Sequence, residues 1–127
     1  SPPLEFTGVP AGTRSLALVC VDLSPVADEW VHWMVTDVPP DATSLEKGAS
    51  GVSMPQGTKE HVNGFGDAGW GGPEPPPGTG VHQYAFTLLA LDTPKLDLPK
   101  NATLADFRAA VAAHELAAAQ MIGTYQR

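Results

Sequence analysis

Four side chains able to hold or move a proton stand at the ends of apolar runs. Asp22 closes Ser15–Asp22 (SLALVCVD), His32 lies inside Trp30–Val38 (WVHWMVTDV), and His82 and Tyr84 open Val81–Asp92. A pair of protonated histidines offers N–H donors to an anion or a polar headgroup. An Asp beside one of them fixes its tautomer, and a Tyr adds a hydroxyl. The same set suffices for general acid–base work such as isomerisation, cyclisation or hydrolysis. Spacing alone also leaves open a plainer reading, in which the histidines are satisfied within the core. The common zinc spacings and paired cysteines are lacking, so neither a metal site nor a cofactor is expected. Gly-x-Ser-x-Gly does not occur, so no serine nucleophile on a strand–turn–helix elbow is expected.

These residues need elements to position them. Gly69–Gly80 (GWGGPEPPPGTG) is too rich in Gly and Pro for helix or central strand, and reads as a stiff loop that delivers His82 and Tyr84 to a strand. Ser15–Asp22 is nearly all apolar, which predicts a strand buried on both faces, with Cys20 as a core thiol. Alternation in Trp30–Val38 predicts Trp30, His32, Met34 and Thr36 on one side and Val31, Trp33, Val35 and Asp37 on the other. Val81–Asp92 predicts a third strand. Ser1–Gly12 reads as an extended loop, and Asp41–Ala68 as a long functional loop carrying a solvated His61. Thr103–Gln120 predicts a helix, capped by Thr103 with Asp106 and laying Leu104, Phe107, Val111 and His114 on one face. Gly123 should stop it, leaving Thr124–Arg127 for a short strand.

Bulk properties narrow the function classes. A chain of 127 residues with 43% hydrophobic and 17% charged residues suits one globular domain, 1–127. Its 13 prolines and 13 glycines favour short strands and ordered loops over a helix bundle. With seven Lys and Arg and a net charge of −7, no basic surface exists for nucleic acid or anionic membrane. No apolar run reaches the ~20 residues of a membrane helix, so membrane insertion is not expected. A lone cysteine requires no oxidising compartment; a cytoplasmic location is expected, with a cleaved leader left open.

Three stretches together resemble the phosphatidylethanolamine-binding protein family, in its bacterial and archaeal Raf-kinase-inhibitor-like branch. The first is Ser15–Asp22 with Trp30-Val31-His32-Trp33-Met34-Val35 and Asp37-Val38-Pro39. The second is Gly71-Gly72-Pro73, then Pro75-Pro76-Pro77-Gly78-Thr79-Gly80-Val81-His82-Gln83-Tyr84 and Phe86-Thr87-Leu88. The third is His114-Glu115-Leu116-Ala117 with Gly123-Thr124-Tyr125-Gln126-Arg127. The resemblance implies a mainly β fold: an antiparallel sandwich of a large and a small sheet with a C-terminal helix. It also implies a small anion-binding pocket at one end of the large sheet. Carried over by position, the ligand-binding residues are Asp22, Trp30, His32, Pro76, His82 and Tyr84.

Three departures from the family pattern stand out. Additional N-terminal strands usual in the family lie outside this chain, trimmed, processed away or supplied by another subunit, and an uncovered sheet edge is expected to favour a homodimer. The Asp-Pro-Asp-x-Pro motif reads Asp22-Leu23-Ser24-Pro25-Val26, keeping only the first acid. Gln83 stands where the family has Arg. Loss of an acid at Ser24 and a base at Gln83 reads as an ion pair dissolved between two loops. Glu74 places an unusual charge among the prolines. Two functions follow as expectations: a binding protein that holds an anionic or polar headgroup, or a small-molecule enzyme whose candidate catalytic residues are His32, His82, Asp22 and Tyr84. A protein-inhibitor role is a family possibility for which no residue here names a partner.

Overall fold

The computed structural model describes residues 1–127. Its elements in chain order are β1 (Leu4–Glu5), β2 (Ser15–Asp22), β3 (Val31–Val38), β4 (Ser44–Leu45), β5 (Lys59–Glu60), β6 (His82–Leu91), α1 (Leu104–Ala112) and β7 (Glu115–Tyr125). Five strands form an antiparallel sheet in the order β5-β3-β2-β6-β7, and β1 pairs with β4 in a second, two-stranded sheet. The mainly β architecture with a large and a small sheet is therefore present.

Every residue of β2 is buried, as its unbroken apolar run requires of a strand covered on both faces. One face packs Ala17, Val19, Val21, Met34 and Leu89 against Phe107 and Val111 of α1. The other packs Leu16, Leu18, Cys20, Trp33, Val35 and Phe86 against Leu4, Leu45 and Phe6 around the small sheet. The large sheet is thus the middle of three layers. Cys20 is fully buried, and burial pushes its thiol up to about 12.

Strict alternation fails in β3. Cys20 faces Trp33 while Val21 faces Val31, so His32 is an extra residue in a bulge. A second irregularity lies between the pairs Leu16–Val38 and Leu18–Val35, where Asp37 takes a positive φ of 61°. The bulges put Val31 and Met34 on the helix side together, so the predicted grouping of Trp30, His32, Met34 and Thr36 does not hold. Bulges re-aim side chains in this way at sheet ends and next to sites.

The chain after Thr103 needs the largest correction. Thr103 does cap α1: its hydroxyl accepts from Asp106 N at 3.1 Å, and Asp106 accepts from Thr103 N at 2.8 Å. The helix nevertheless ends at Ala112. His114 turns the chain, donating its N–H to Val111 O and accepting from Asp92 N at 2.9 Å. Residues 115–125 then pair with β6 from Leu91–Glu115 to His82–Tyr125. Gly123 is consequently a strand residue opposite Tyr84, not a helix stop. His114 lies outside the helix and meets Asp92 at 2.8 Å. The long loop 41–68 contains β4 and β5, and Ser1–Gly12 contains β1, strands too short to carry a periodic signal.

Candidate functional site

The antiparallel order brings the C-terminal end of β2 and the N-terminal ends of β3 and β6 to one edge of the sheet. Asp22, His32 and His82 therefore converge, with Asp22 directly opposite Tyr84 in the register. At this edge lies a cavity of about 500 Å³, walled by Asp22, Val26, Ala27, Asp28, Trp30, His32, Phe65, Glu74, Pro75, Pro76 and His82. Five of the six expected ligand-binding residues line it. Tyr84 does not; it lies beneath, its ring 5.1 Å from His32 and 6.5 Å from His82.

The two histidines play different parts. His82 is fully buried, with Nδ1 at 2.7 Å from Asp22 Oδ2 and Nε2 at 2.8 Å from Thr79 Oγ1. Asp22 is completed by Ser24 N–H, which donates to Oδ1 at 2.8 Å. Both ring nitrogens of His82 are thus held by the protein. Thr79 Oγ1 also lies 2.7 Å from Pro76 O, and a hydroxyl has a single hydrogen to give.

His32 is also buried, but only Nδ1 is engaged, donating to Gly71 O at 2.7 Å. A carbonyl can only accept, so Nδ1 carries the proton and neutral His32 keeps a lone pair on Nε2. Nε2 makes no hydrogen bond within the protein, and His32 lines the cavity. It is the one ring nitrogen of the pair left for a ligand.

The aromatic wall depends on close backbone approach. Trp30 and Phe65 meet edge to face with ring centroids 5.4 Å apart. A Cβ on Gly64 would collide with the Trp30 indole, and one on Gly71 with the Phe65 ring. Backbone bonds fix the same loop, Gly64 N–H to Val31 O and Gly71 N–H to His32 O, each at 2.8 Å.

Tyr84 is buried, and its hydroxyl finds no hydrogen-bond partner of good geometry. Burial first, then the nearby charge of Asp22, pushes its phenol up to about 12. The expected solvated His61 is instead half-buried, with Nε2 at 2.7 Å from Thr36 Oγ1. Sequence reasoning missed Asp28, Phe65, Val26 and Ala27 as wall residues. The signal for Asp28 was two consecutive acids leading into Trp30; Asp28 and Glu29 both take positive φ, 48° and 56°. Phe65 was legible only as the lone large apolar residue between Asn63 and Ala68. Ser24 and Gln83 line one depression together with Leu23, Pro25 and Val81. No group of three His, Cys, Asp or Glu side chains is placed to share a metal ion. No helix is long and apolar enough to cross a membrane.

Comparison with known proteins matches this geometry to a family. The family model described as phosphatidylethanolamine-binding protein matches residues 1–126. A UPF0098 protein of Methanothermobacter thermautotrophicus is 42% identical over 128 residues, covering 100% of this chain and 83% of its relative. The Escherichia coli UPF0098 protein YbhB is 38% identical, covering 98% of this chain and 80% of YbhB. The crystal structure of E. coli YbcL, titled a new member of the mammalian PEBP family, superposes with a TM-score of 0.92 at 35% identity, over 100% of this chain and 80% of YbcL. The chain belongs to the phosphatidylethanolamine-binding protein family, in the bacterial and archaeal branch of YbhB and YbcL.

Proposed function

We propose that the cavity at the sheet edge binds a small polar headgroup, and that the chain acts as a ligand-binding protein of the phosphatidylethanolamine-binding type. The observation that carries this reading is His32 Nε2, a ring nitrogen without a protein partner on the wall of a cavity of about 500 Å³. A ligand able to hydrogen-bond it gains a directional contact there. Asp22 and His82 form the scaffold behind it. Trp30, Phe65 and Pro76 supply the apolar sides that pockets of this size use to exclude water.

Histidine ring signals in NMR test the reading, with phosphate, acetate, phosphoethanolamine and neutral metabolites added in turn. At least one is expected to shift the His32 ring saturably, and His32→Gln to remove the response. Failure of every compound to move His32 refutes a headgroup pocket.

A second reading, an acid–base enzyme, is favoured by one observation. Thr79, His82 and Asp22 stand in a chain of 2.8 and 2.7 Å, distances at which a base is oriented by an acid and reaches a hydroxyl. Thr79 is not on the cavity wall, which places the binding reading first. Product formation from a bound ligand, abolished by Thr79→Val with binding retained, would reverse that order. We also propose self-association through the outer edge of β7, where Leu116, Met121, Ile122 and Tyr125 are exposed.

A further inference from the structure

We infer that Arg108 of α1, which lies off the cavity, is a positioning residue for its wall: through Glu29 it holds the loop 23–29 in the shape that lines the pocket. For its bearing on ligands the inference rests on the pocket proposed above, and it names a contact that sets that pocket's shape. Val26, Ala27 and Asp28 of this loop, with Trp30 just after it, supply four of the eleven wall residues. Little else fixes the loop. At its base Asp22 N–H donates to Trp30 O at 3.0 Å and Leu23 N–H to Gln83 O at 2.8 Å. Ser24 N–H turns back to Asp22 Oδ1 at 2.8 Å, and Ala27 N–H closes a turn onto Ser24 O at 3.0 Å. From Pro25 to Glu29, the only hydrogen bonds to another element are those that Glu29 accepts from Arg108 Nη1 and Nη2, at 3.1 and 2.5 Å. Apolar packing does not take their place, since Leu23 is 43% and Val26 60% exposed.

The backbone is the second, independent observation. Asp28 and Glu29 take positive φ in succession, 48° and 56°, a left-handed turn that Asp tolerates and Glu does not favour. The turn sends Asp28 to the cavity wall and Glu29 to the helix. A conformation that the residue itself does not favour persists only where its surroundings hold it. An exposed ion pair is weak, but the two bonds of a planar guanidinium fix direction as well as distance. Arg108 is a firm anchor because its neighbour Phe107, and Val111 one turn on, are buried against the sheet. The hydrogen bond from Arg108 first, and its charge second, hold the Glu29 carboxyl below the ordinary carboxylate range. A helix packed on one face of the sheet thereby sets a wall at the sheet's edge.

The test is amide hydrogen exchange on the whole chain without ligand. Arg108→Gln removes the charge and the fork while keeping good helix propensity. It is expected to speed exchange at Ala27 roughly threefold, in the range of one exposed ion pair, and to leave Val19 in the middle of β2 unchanged. Added salt should shrink the difference between parent and variant. The reversed pair, Glu29→Arg with Arg108→Glu, should bring Ala27 back towards the parent rate. An unchanged Ala27, equal acceleration of Ala27 and Val19, or a reversed pair that exchanges no more slowly than either of its single variants overturns the inference. Phosphate, acetate and phosphoethanolamine then test the bearing on ligands. Each that shifts the His32 ring should leave Arg108→Gln about threefold faster than it leaves the parent chain, and an equal rate overturns the positioning role. Silence of His32 towards all three refutes the pocket and with it a role for Arg108 in binding, whereas exchange at Ala27 decides the hold on the loop by itself.

Discussion

At the scale of single residues, the two histidines are expected to fail differently when replaced. His82→Ala leaves the Asp22 carboxylate buried without its partner, a loss of about 3 kcal/mol or more in stability. Urea unfolding measures it, and Asp22→Asn in the same background should restore part of the loss by removing the stranded charge. An unchanged urea midpoint for His82→Ala would show the pair to be ornamental. His32→Gln, which gives up one bond to Gly71, should cost only about 1 kcal/mol yet abolish the ligand response. His61 carries a pH prediction. Burial lowers its pKa from 6.5, with Asp37 raising it and Lys59 lowering it to smaller extents. The unfolded chain therefore binds the proton more readily. The stability due to a neutral His61 is complete above 6.5 and is lost as pH falls through the lower folded value. Urea midpoints between about pH 7 and about pH 5 should fall less steeply for His61→Gln than for the parent chain. Equal slopes would remove His61 from the acid response.

At the scale of elements, the helix start is a local device and the helix end is not. Thr103→Ala should lower stability by ~1 kcal/mol, because Asp106 N–H loses its acceptor in the first turn. Thr103→Ser should recover most of it, and equal unfolding of both variants would make the cap irrelevant. That device is written in neighbouring residues, so the sequence shows it. The end of α1 is different. His114-Glu115-Leu116-Ala117-Ala118-Ala119-Gln120 has good intrinsic helix propensity, which predicts helix through Gln120. Pairing along almost the whole of β6 overrides it, and a propensity of tenths of a kcal/mol per residue cannot compete with a full ladder. β2 and β6 were legible because their own apolar residues demand burial. The site was legible in the same proportion. Asp22, His32 and His82 end strands whose register is set by burial, whereas Asp28 and Phe65 reach the wall from loops fixed by distant backbone contacts.

At the scale of the whole molecule, β7 is the last strand of the five-stranded sheet. β7 spans 11 residues, is exposed for nearly its whole length, and has β6 on one side alone. An outer ladder of unpaired N–H and C=O groups invites another strand, and natural edges are usually protected by charge, proline or bulges. β7 has one charged residue, Glu115 at its start, and neither Lys nor Pro. Opposing this is the net charge of −7 on each chain, a repulsion that salt screens. Association through β7 should therefore strengthen with concentration and with added salt, which sedimentation velocity resolves as a rise in mean mass. Met121→Lys places a charge on the edge and should hold the chain monomeric, while leaving the His32 response unchanged, since Met121 is not on the cavity wall. A constant monomer mass across roughly a hundredfold in concentration, at high as well as low salt, would show that twist and charge already protect the edge. A dimer that persists in Met121→Lys would place the contact on another face.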